Sequence, residues 1–437
     1  MSIEKISSRV LFVSGELIAG DLALRLKAEG CEVKLFVDHP EQKGCLEGFV
    51  ERVNDWRQEL EWVGKNGLIV FDDVGYGQDQ DDLRKAGYRV VGGSAGGDRL
   101  EKDRRFAQEL LAQGGMLTVP IFDFATPQEA MEFVKENPRA WVVKQNAHQS
   151  SLLYVGVLSD GRDALSILET YAKNGVKKIT LQEKIEGIEV SINRYFNGTD
   201  WVGPSEITIE HKSLFNDNIG PKTGEMGNLM WYDDGEGRFF EETIEKLKPY
   251  LRAVDFRGDI DINCFIQEDK VYPIEVTARF GCPITHSQSV MHLSPWHEFL
   301  GAVADGKGYN LKHRDGYCIA LTLALPPFPY EGILAKEYSS EGLELFFKEP
   351  LTIEEMKNIH FEAITKKKSG TMERYFVTHS IGYTLFVTGY GKTVEQAQKN
   401  VYALAEKVVI PKIFYRTDIG ASFARTDKMR LEQWGWI

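Results

Sequence analysis

Gly258-Asp-Ile-Asp-Ile-Asn-Cys-Phe-Ile-Gln-Glu-Asp-Lys-Val-Tyr-Pro-Ile-Glu-Val-Thr-Ala-Arg-Phe-Gly281 is the stretch on which the fold turns. Its first half alternates polar and apolar side chains, Glu268 and Asp269 can form a turn, and residues 271–280 read as a returning strand. Strand side chains alternate with a period of two, so Asp261 and Asn263 share one face, as do Glu275, Thr277 and Arg279. If the two faces coincide, hard oxygen ligands converge beside a guanidinium. That arrangement suits Mg2+ holding nucleotide phosphates next to an anionic substrate group. An ordinary solvated hairpin face shows the same alternation, so the rest of the chain has to decide.

At 437 residues the chain is too long for one ordinary core and implies about two to four domains. The net charge of -13 argues against a broad nucleic-acid surface, while leaving room for a local basic pocket. No run approaches the roughly 20 apolar residues of a membrane span, and the first residues lack the apolar stretch of a signal peptide. Cys31, Cys45, Cys264, Cys282 and Cys318 form no close pair of metal-ligand type and read as reduced thiols of a cytoplasmic protein.

Short apolar runs at 10–13, 33–37, 68–71 and 88–91 alternate with helix-like segments at 17–29 and 81–86, the pattern of a small parallel α/β sheet. Gly92-Gly-Ser-Ala-Gly-Gly97 punctuates the chain. With no strand-to-helix nucleotide fingerprint around it, it reads as a linker in preference to a cofactor loop. Residues 100–113 read as a helix, and 140–145, 152–158 and 179–185 as strands with a helix at 163–173 among them, which makes an α+β lid set into a larger body. Body strands follow at 190–197 and 201–212. Leu325-Pro-Pro-Phe-Pro329 is a stiff break, after which a strand at 383–388 and an amphipathic helix at 394–407 read as a separate α+β cap.

Three further signals bear on chemistry. The strand–link–strand segment around Gly187 can present backbone groups to an adenine edge, with Glu189 placed for ribose hydroxyls; an exposed hairpin explains it equally well. Lys144 interrupts the apolar run Trp141-Val-Val-Lys-Gln, and an unpaired lysine in such a strand carries a desolvation cost of several kcal/mol unless it snorkels or meets an anion. Lys102, at the start of the helix after the glycines, is a second candidate for phosphate. The loop from His211 to Gly227 is rich in glycine, hydroxyl and basic groups, with Lys212 and Lys222 adding charge for an anionic substrate; a surface loop has the same composition.

In order along the chain, Leu181-Gln-Glu-Lys-Ile-Glu-Gly-Ile-Glu-Val-Ser191, Gly220-Pro-Lys-Thr-Gly-Glu-Met-Gly227, Ile274-Glu-Val-Thr-Ala-Arg-Phe-Gly281 and Phe414-Tyr-Arg-Thr-Asp-Ile-Gly420 resemble the ATP-grasp ligases of the glycinamide ribonucleotide synthetase type. The resemblance implies an α/β and α+β architecture. Its parts would be an N-terminal preATP-grasp domain over 1–98, an ATP-grasp body over 99–325 with a lid at about 116–188, and a cap over 326–437. It also implies a reaction in which ATP phosphorylates a carboxylate and an amine attacks the acyl phosphate to leave an amide.

On this mapping Lys102 and Lys144 hold phosphates, Gln182, Glu183, Lys184 and Ile185 receive adenine, and Glu189 binds ribose. Glu275 is the principal ligand of Mg2+ (or Mn2+), helped by Thr277 or Asn263. Arg279, with Lys144 a catalytic residue, faces the acyl phosphate or the substrate anion. Lys212, Asn218, Gly220, Pro221, Lys222, Thr223, Gly224, Glu225, Met226 and Gly281 line the substrate. The implied partners are a small carboxylate such as an amino acid and an amine, phosphorylated or nucleoside-like, acting on a cytoplasmic monomer or homodimer.

The chain departs from the family pattern in four places. The glycine-glycine-arginine-glutamate-histidine signature that helps hold a ribosyl phosphate is replaced by Ser14-Gly-Glu-Leu-Ile-Ala-Gly20. The glycine loop with a further lysine after Lys144 becomes Gln145-Asn-Ala-His-Gln-Ser-Ser151, where His148, Ser150 and Ser151 are candidate phosphate donors. Asn218 stands where the family has aspartate, with Lys222 and Glu225 as new charges nearby. Thr277 replaces an asparagine, and Gly281-Cys-Pro-Ile284 replaces glycine-aspartate-proline-glutamate. Three readings follow: a divergent ligase with other substrates, the purine-pathway synthetase itself, and a nucleotide-binding relative without turnover.

Overall fold

A computed structural model describes residues 8–144, 153–330, 339–370, 372–378 and 383–437. Five short strands near the N-terminus form a wholly parallel sheet in the order Glu51–Arg52, Glu32–Val37, Arg9–Ser14, Leu68–Phe71, Arg89–Val91. Its central strands are almost wholly buried, which is why they read as unbroken apolar runs and not as alternating ones. The direction of winding changes between Arg9–Ser14 and Leu68–Phe71, so the crevice of this sheet lies just beyond Ser14 and Asp72.

The glycine cluster that follows is a packing seam, not a loose linker. Gly92 donates its N–H to the Arg257 carbonyl at 2.7 Å, and Ser94 caps the helix Ala95–Lys102 by accepting from the Gly97 N–H. A Cβ on Gly96 or Gly97 would lie 2.4 Å from Val254 or 2.6 Å from Phe256, too close for any side chain. The single helix expected over 100–113 is also two. Asp103 leaves helical geometry, ends Ala95–Lys102 and caps Arg104–Gln113 by accepting from the Phe106 N–H at 3.1 Å. Lys102 and Arg104 therefore belong to different helices.

The body is an eight-stranded antiparallel sheet. Its order is Lys270–Thr277, Arg257–Gln267, Ile188–Asn197, Trp201–Glu210, Gly227–Asp233, Tyr317–Ala324, Tyr383–Gly391, Ile359–Phe361. The last two strands come from the C-terminal segment, so that segment extends the body's sheet as well as building one of its own. The second sheet runs Ile364–Ser369, Met372–Val377, Glu344–Phe347, Val408–Val409. Gly389 lets the helix Val394–Ala405 lie directly on the shared sheet, since a Cβ there would sit 2.4 Å from the Val401 nitrogen.

The lid has its own four-stranded sheet, Ile121–Phe124, Ile179–Glu183, Trp141–Lys144, Tyr154–Val155, crossed by the helices Pro127–Glu136 and Arg162–Lys173. Ala130, Val134, Trp141, Val143, Leu168 and Leu181 form a core separate from that of the body. Residues 184–187 join the lid's Ile179–Glu183 to the body's Ile188–Asn197. A short covalent link between two independently packed cores is the construction of a hinge.

Candidate active site

The hairpin's two polar faces do coincide. Asn263 stands directly opposite Glu275 and Asp261 opposite Thr277, with a bulge after Asn263. The neighbouring strands add Glu189 and Glu210: the Asn263 side-chain amide donates to Glu189 at 3.0 Å and reaches Glu210 at 3.4 Å. Lys212 places its ammonium 2.9 Å from Glu210 and 3.4 Å from Glu189. Arg104 approaches Glu275 at 3.8 Å.

Cations decide the charge state of this face. Burial alone would raise the Glu275 carboxyl, but Lys212, Arg104 and Lys144 together hold it below its ordinary value. Burial likewise works against the Lys212 ammonium, and Glu210, Glu189 and Glu275 keep it charged far above its ordinary range. Burial, and then the Glu210 charge, push the Asp261 and Glu225 carboxyls well up. Asn263 Oδ1 and Glu225 Oε1 are buried with no hydrogen-bond partner. Hard oxygen atoms held together with unfilled lone pairs fit Mg2+ or Mn2+.

Lys144 ends its strand at the wall of a narrow cleft between lid and body, together with Arg104, Gln108, Ile121, Gln182 and Ile274. Its ammonium donates to Gln182 Oε1 at 2.8 Å. Burial, then the Arg104 charge, bring Lys144 down to about 8, so an arriving anion would restore its full charge. Gln182 is buried, Glu183 pairs with Arg139 at 2.8 Å, Lys184 pairs with Glu186 at 2.8 Å, and Ile185 is half-buried in the hinge.

Several expected residues lie elsewhere. Lys102 is half exposed at the end of its helix, 3.8 Å from Asp98, and Arg104 occupies the face expected of it because the helix breaks at Asp103. Arg279 lies past the end of the strand at Thr277; its Nε is 3.1 Å from Glu101 and 3.6 Å from Asp73. Although burial opposes charge there, those two carboxylates hold Arg279 firmly protonated. Gly281 is half-buried and accepts from the Thr285 hydroxyl at 2.7 Å. Ser150, Ser151 and His148 fall outside the described residues.

The loop between His211 and Gly227 is an ordered strap. Thr223 bonds the Lys212 carbonyl through both its N–H and its hydroxyl, at 2.7 and 2.9 Å, and the Leu214 N–H donates to the Pro221 carbonyl at 3.0 Å. Lys222 bridges back to Ser213, and burial lowers its affinity for a proton. Gly220 turns with a positive φ of 91° at the exposed tip. Asn218 accepts from Arg416 at 3.0 Å, and Gly224 lies against the Tyr383 hydroxyl. Met226, expected at the substrate, is fully buried against Leu214, Ala324 and Phe328: its long apolar side chain serves packing.

Arg104 and Glu210 complete the face without having been singled out for binding, beside Asp261, which the strand alternation had already placed there. Glu210 and Lys212 stand two residues apart at a strand end, a charged pair on one face that alternation alone exposes. Arg104 gave no such signal, because only the Asp103 break orients it.

The ATP-grasp (A) domain of phosphoribosylglycinamide synthetase matches residues 102–285, and the C domain of the same synthetase matches residues 337–422. A phosphoribosylamine–glycine ligase of Clostridium acetobutylicum is 26% identical over 356 residues, covering 78% of this chain and 80% of that protein. One of Caldanaerobacter subterraneus subsp. tengcongensis is 24% identical, covering 78% and 81%. Among solved structures, phosphoribosylamine–glycine ligase of Thermotoga maritima shares the fold with a TM-score of 0.66 at 19% identity, over 94% of this chain and 100% of that one. The biotin carboxylase of Campylobacter jejuni shares it with a TM-score of 0.64 at 12% identity, over 98% and 97%. Two domains of one synthetase, matched in sequence order around the hinge, cleft and hairpin face just described, place the chain in a family: it belongs to the ATP-grasp ligases of the phosphoribosylglycinamide synthetase type.

Proposed function

We propose that the protein joins a small carboxylate, such as an amino acid, to an amine in a reaction driven by ATP cleavage. A carboxylate oxygen attacks the γ-phosphorus, giving ADP and an acyl phosphate. The amine nitrogen then attacks the acyl carbon, the bond from that carbon to the phosphate oxygen breaks, and amide, phosphate and a proton leave. The observation that carries this reading is Asn263 opposite Glu275, with a buried oxygen still unpartnered, beside the cleft walled by Lys144 and Arg104.

Glu275, Asn263 and Thr277 would hold Mg2+ or Mn2+, which when bound offsets charge on the ATP phosphates. The chain's own groups do the positioning on which phosphoryl transfer depends. Lys144 and Arg104 bind phosphate oxygens from the lid and the body. Gln182 orients the Lys144 ammonium. The backbone of 183–185 meets the adenine edge, and Glu189 takes ribose hydroxyls. Closure of the lid about 184–187 excludes water that would otherwise hydrolyse the acyl phosphate. Arg279, fixed by Glu101 and Asp73, presents its remaining N–H groups to the acyl phosphate.

The curated relatives favour a second reading in which the substrates are glycine and phosphoribosylamine. The free cysteines agree with a cytoplasmic enzyme. ADP release measured with amino acids crossed against amines tests both readings. Stimulation by some pair is expected. Dependence on glycine and phosphoribosylamine alone would establish the second reading, and ATP binding without stimulation by any pair would sink the ligase.

A further inference from the structure

The junction of the N-terminal sheet, the segment after the hairpin and the C-terminal segment gathers carboxylates of which Asp73 lies 3.6 Å from Arg279, while Asp72 and Glu362 have no lysine or arginine partner among the described residues. Asp72 and Asp73 follow the strand Leu68–Phe71 at the crevice of the parallel sheet, and Glu362 follows Ile359–Phe361 from the far end of the chain. Asp72 is 0% exposed; its Oδ2 accepts from the Ser14 hydroxyl at 2.8 Å and the Ala19 N–H at 3.0 Å, while its Oδ1 has no partner. Glu362 is 6% exposed, and its Oε2 has none either. Two carboxylate oxygens, more than nine-tenths buried and left without a donor, are the mark of a missing partner.

The nearby guanidinium groups are already committed. Arg279 pairs with Glu101 and Asp73 and donates to the Phe280 carbonyl at 2.8 Å. Arg25 bonds Asp21 at 2.8 Å and reaches His360 at 2.9 Å. His286, whose ring centroid lies 4.8 Å from that of His360, is fully buried with both ring nitrogens unpartnered, and burial holds it neutral. Among the described residues no lysine or arginine pairs with Asp72 or Glu362. The Ala19 N–H donates to Asp72 at 3.0 Å, and Asp21 bonds His360, two residues before Glu362, at 2.8 Å, which brings both carboxylates, Asp72 and Glu362, to the start of the helix Gly20–Ala28. Gly15, Asp73, Arg279 and Cys282, on the neighbouring segments, are only half-buried.

We propose that this junction is the subsite of the acceptor amine and that it takes a cationic, unphosphorylated amine whose N–H groups fill the free oxygens of Asp72 and Glu362. A phosphorylated amine is excluded there because no lysine or arginine among the described residues pairs with Asp72 or Glu362, and a phosphate buried without a cation carries a heavy desolvation cost. The acceptor role rests on the ligase reading above; the preference for a cation rests on the junction alone.

Titration calorimetry on the full chain without ATP tests it, with 1,4-diaminobutane, agmatine and L-lysine amide set against ribose 5-phosphate. At least one cation is expected to bind about tenfold or more tightly than ribose 5-phosphate. Asp72→Asn and Glu362→Gln should each weaken that cation about tenfold while the Kd for ATP stays within about twofold. Ribose 5-phosphate binding in preference to every cation, no cation binding at all, or a cation that neither variant weakens overturns the proposal. The wild-type comparison holds even if one variant fails to fold. ADP release separates the two readings. Stimulation by phosphorylated amines alone ends the cation proposal and leaves the ligase intact; cation binding without any ADP release ends the ligase and keeps the cation subsite.

Discussion

Arg279 stands between two groups of buried carboxylates that are treated in opposite ways. On the hairpin face Glu275 is surrounded by Lys212, Arg104 and Lys144 and stays ionised despite its burial. At the N-terminal junction burial, and then the Asp73 charge, push Asp72 up to about 7, and burial with the Asp72 charge raises Glu362 well above the carboxylate range. The residue types are the same; the supply of cations differs. The face proposed for phosphates and a metal carries its own lysines and arginine, whereas carboxylates left without a counterion leave that charge to a ligand.

The sharpest way to break this contrast is at its compensated end. Glu275→Gln is expected to lower kcat for ADP release by roughly 10²–10³-fold, as for other groups that offset transition-state charge, with an unchanged circular dichroism spectrum. Retained Mg2+-dependent turnover would remove the metal assignment. Lys144→Met should cost about 10²-fold and should also flatten the dependence of stability on pH. Because the folded state lowers this lysine from 10.5 to about 8, the unfolded chain binds more protons between those values. Wild-type Tm should therefore gain from this residue as pH rises from about 8 to 10.5, and the variant should lose that gain.

Smaller effects sharpen the comparison. Arg104→Ala is expected to raise the KM for ATP about tenfold, the worth of a charge-assisted contact, with little change in Tm. Asp72→Asn acts with the opposite sign at the uncompensated end. The folded state raises this carboxyl from 3.8 to about 7, so the native protein binds more protons in that window and loses stability as pH rises through it. The neutral variant should raise Tm by a few degrees at pH 8 and by less at pH 5; a lower Tm at pH 8 would mean that a cation is already supplied there. Lys102→Ala should change the KM for ATP by less than about twofold, as expected of an exposed pair, and a tenfold rise would restore it to the phosphate site.

How far the chain could be read depends on the range of each interaction. The hairpin was legible because strand alternation is local: Asp261, Asn263, Glu275 and Thr277 fall on one face whatever surrounds them, and the register made that face common to both strands. Arg279 was not, because the strand ends at Thr277 and carboxylates from distant segments, Glu101 and Asp73, hold the side chain. Met226 has the composition of its loop but the burial of a core residue, and Asn218 is held by Arg416, nearly two hundred residues on. The glycine cluster at 92–97 announced a special backbone; its use as a seam depends on Val254, Phe256 and Arg257 arriving against it.

By itself the sequence determined the strands, the parallel sheet, the lid and the polar face of the hairpin, since each rests on period, composition or spacing within a few residues, and the order of its motifs marked an ATP-grasp ligase through resemblance to that family. Tertiary structure alone decided which cation serves which carboxylate: Arg104 in place of Lys102, Lys212 shared by Glu210 and Glu189, and, among the described residues, no lysine or arginine for Asp72 and Glu362. Charge compensation depends on distances between segments far apart in the chain and on how much water their packing removes, and neither is encoded in a local pattern.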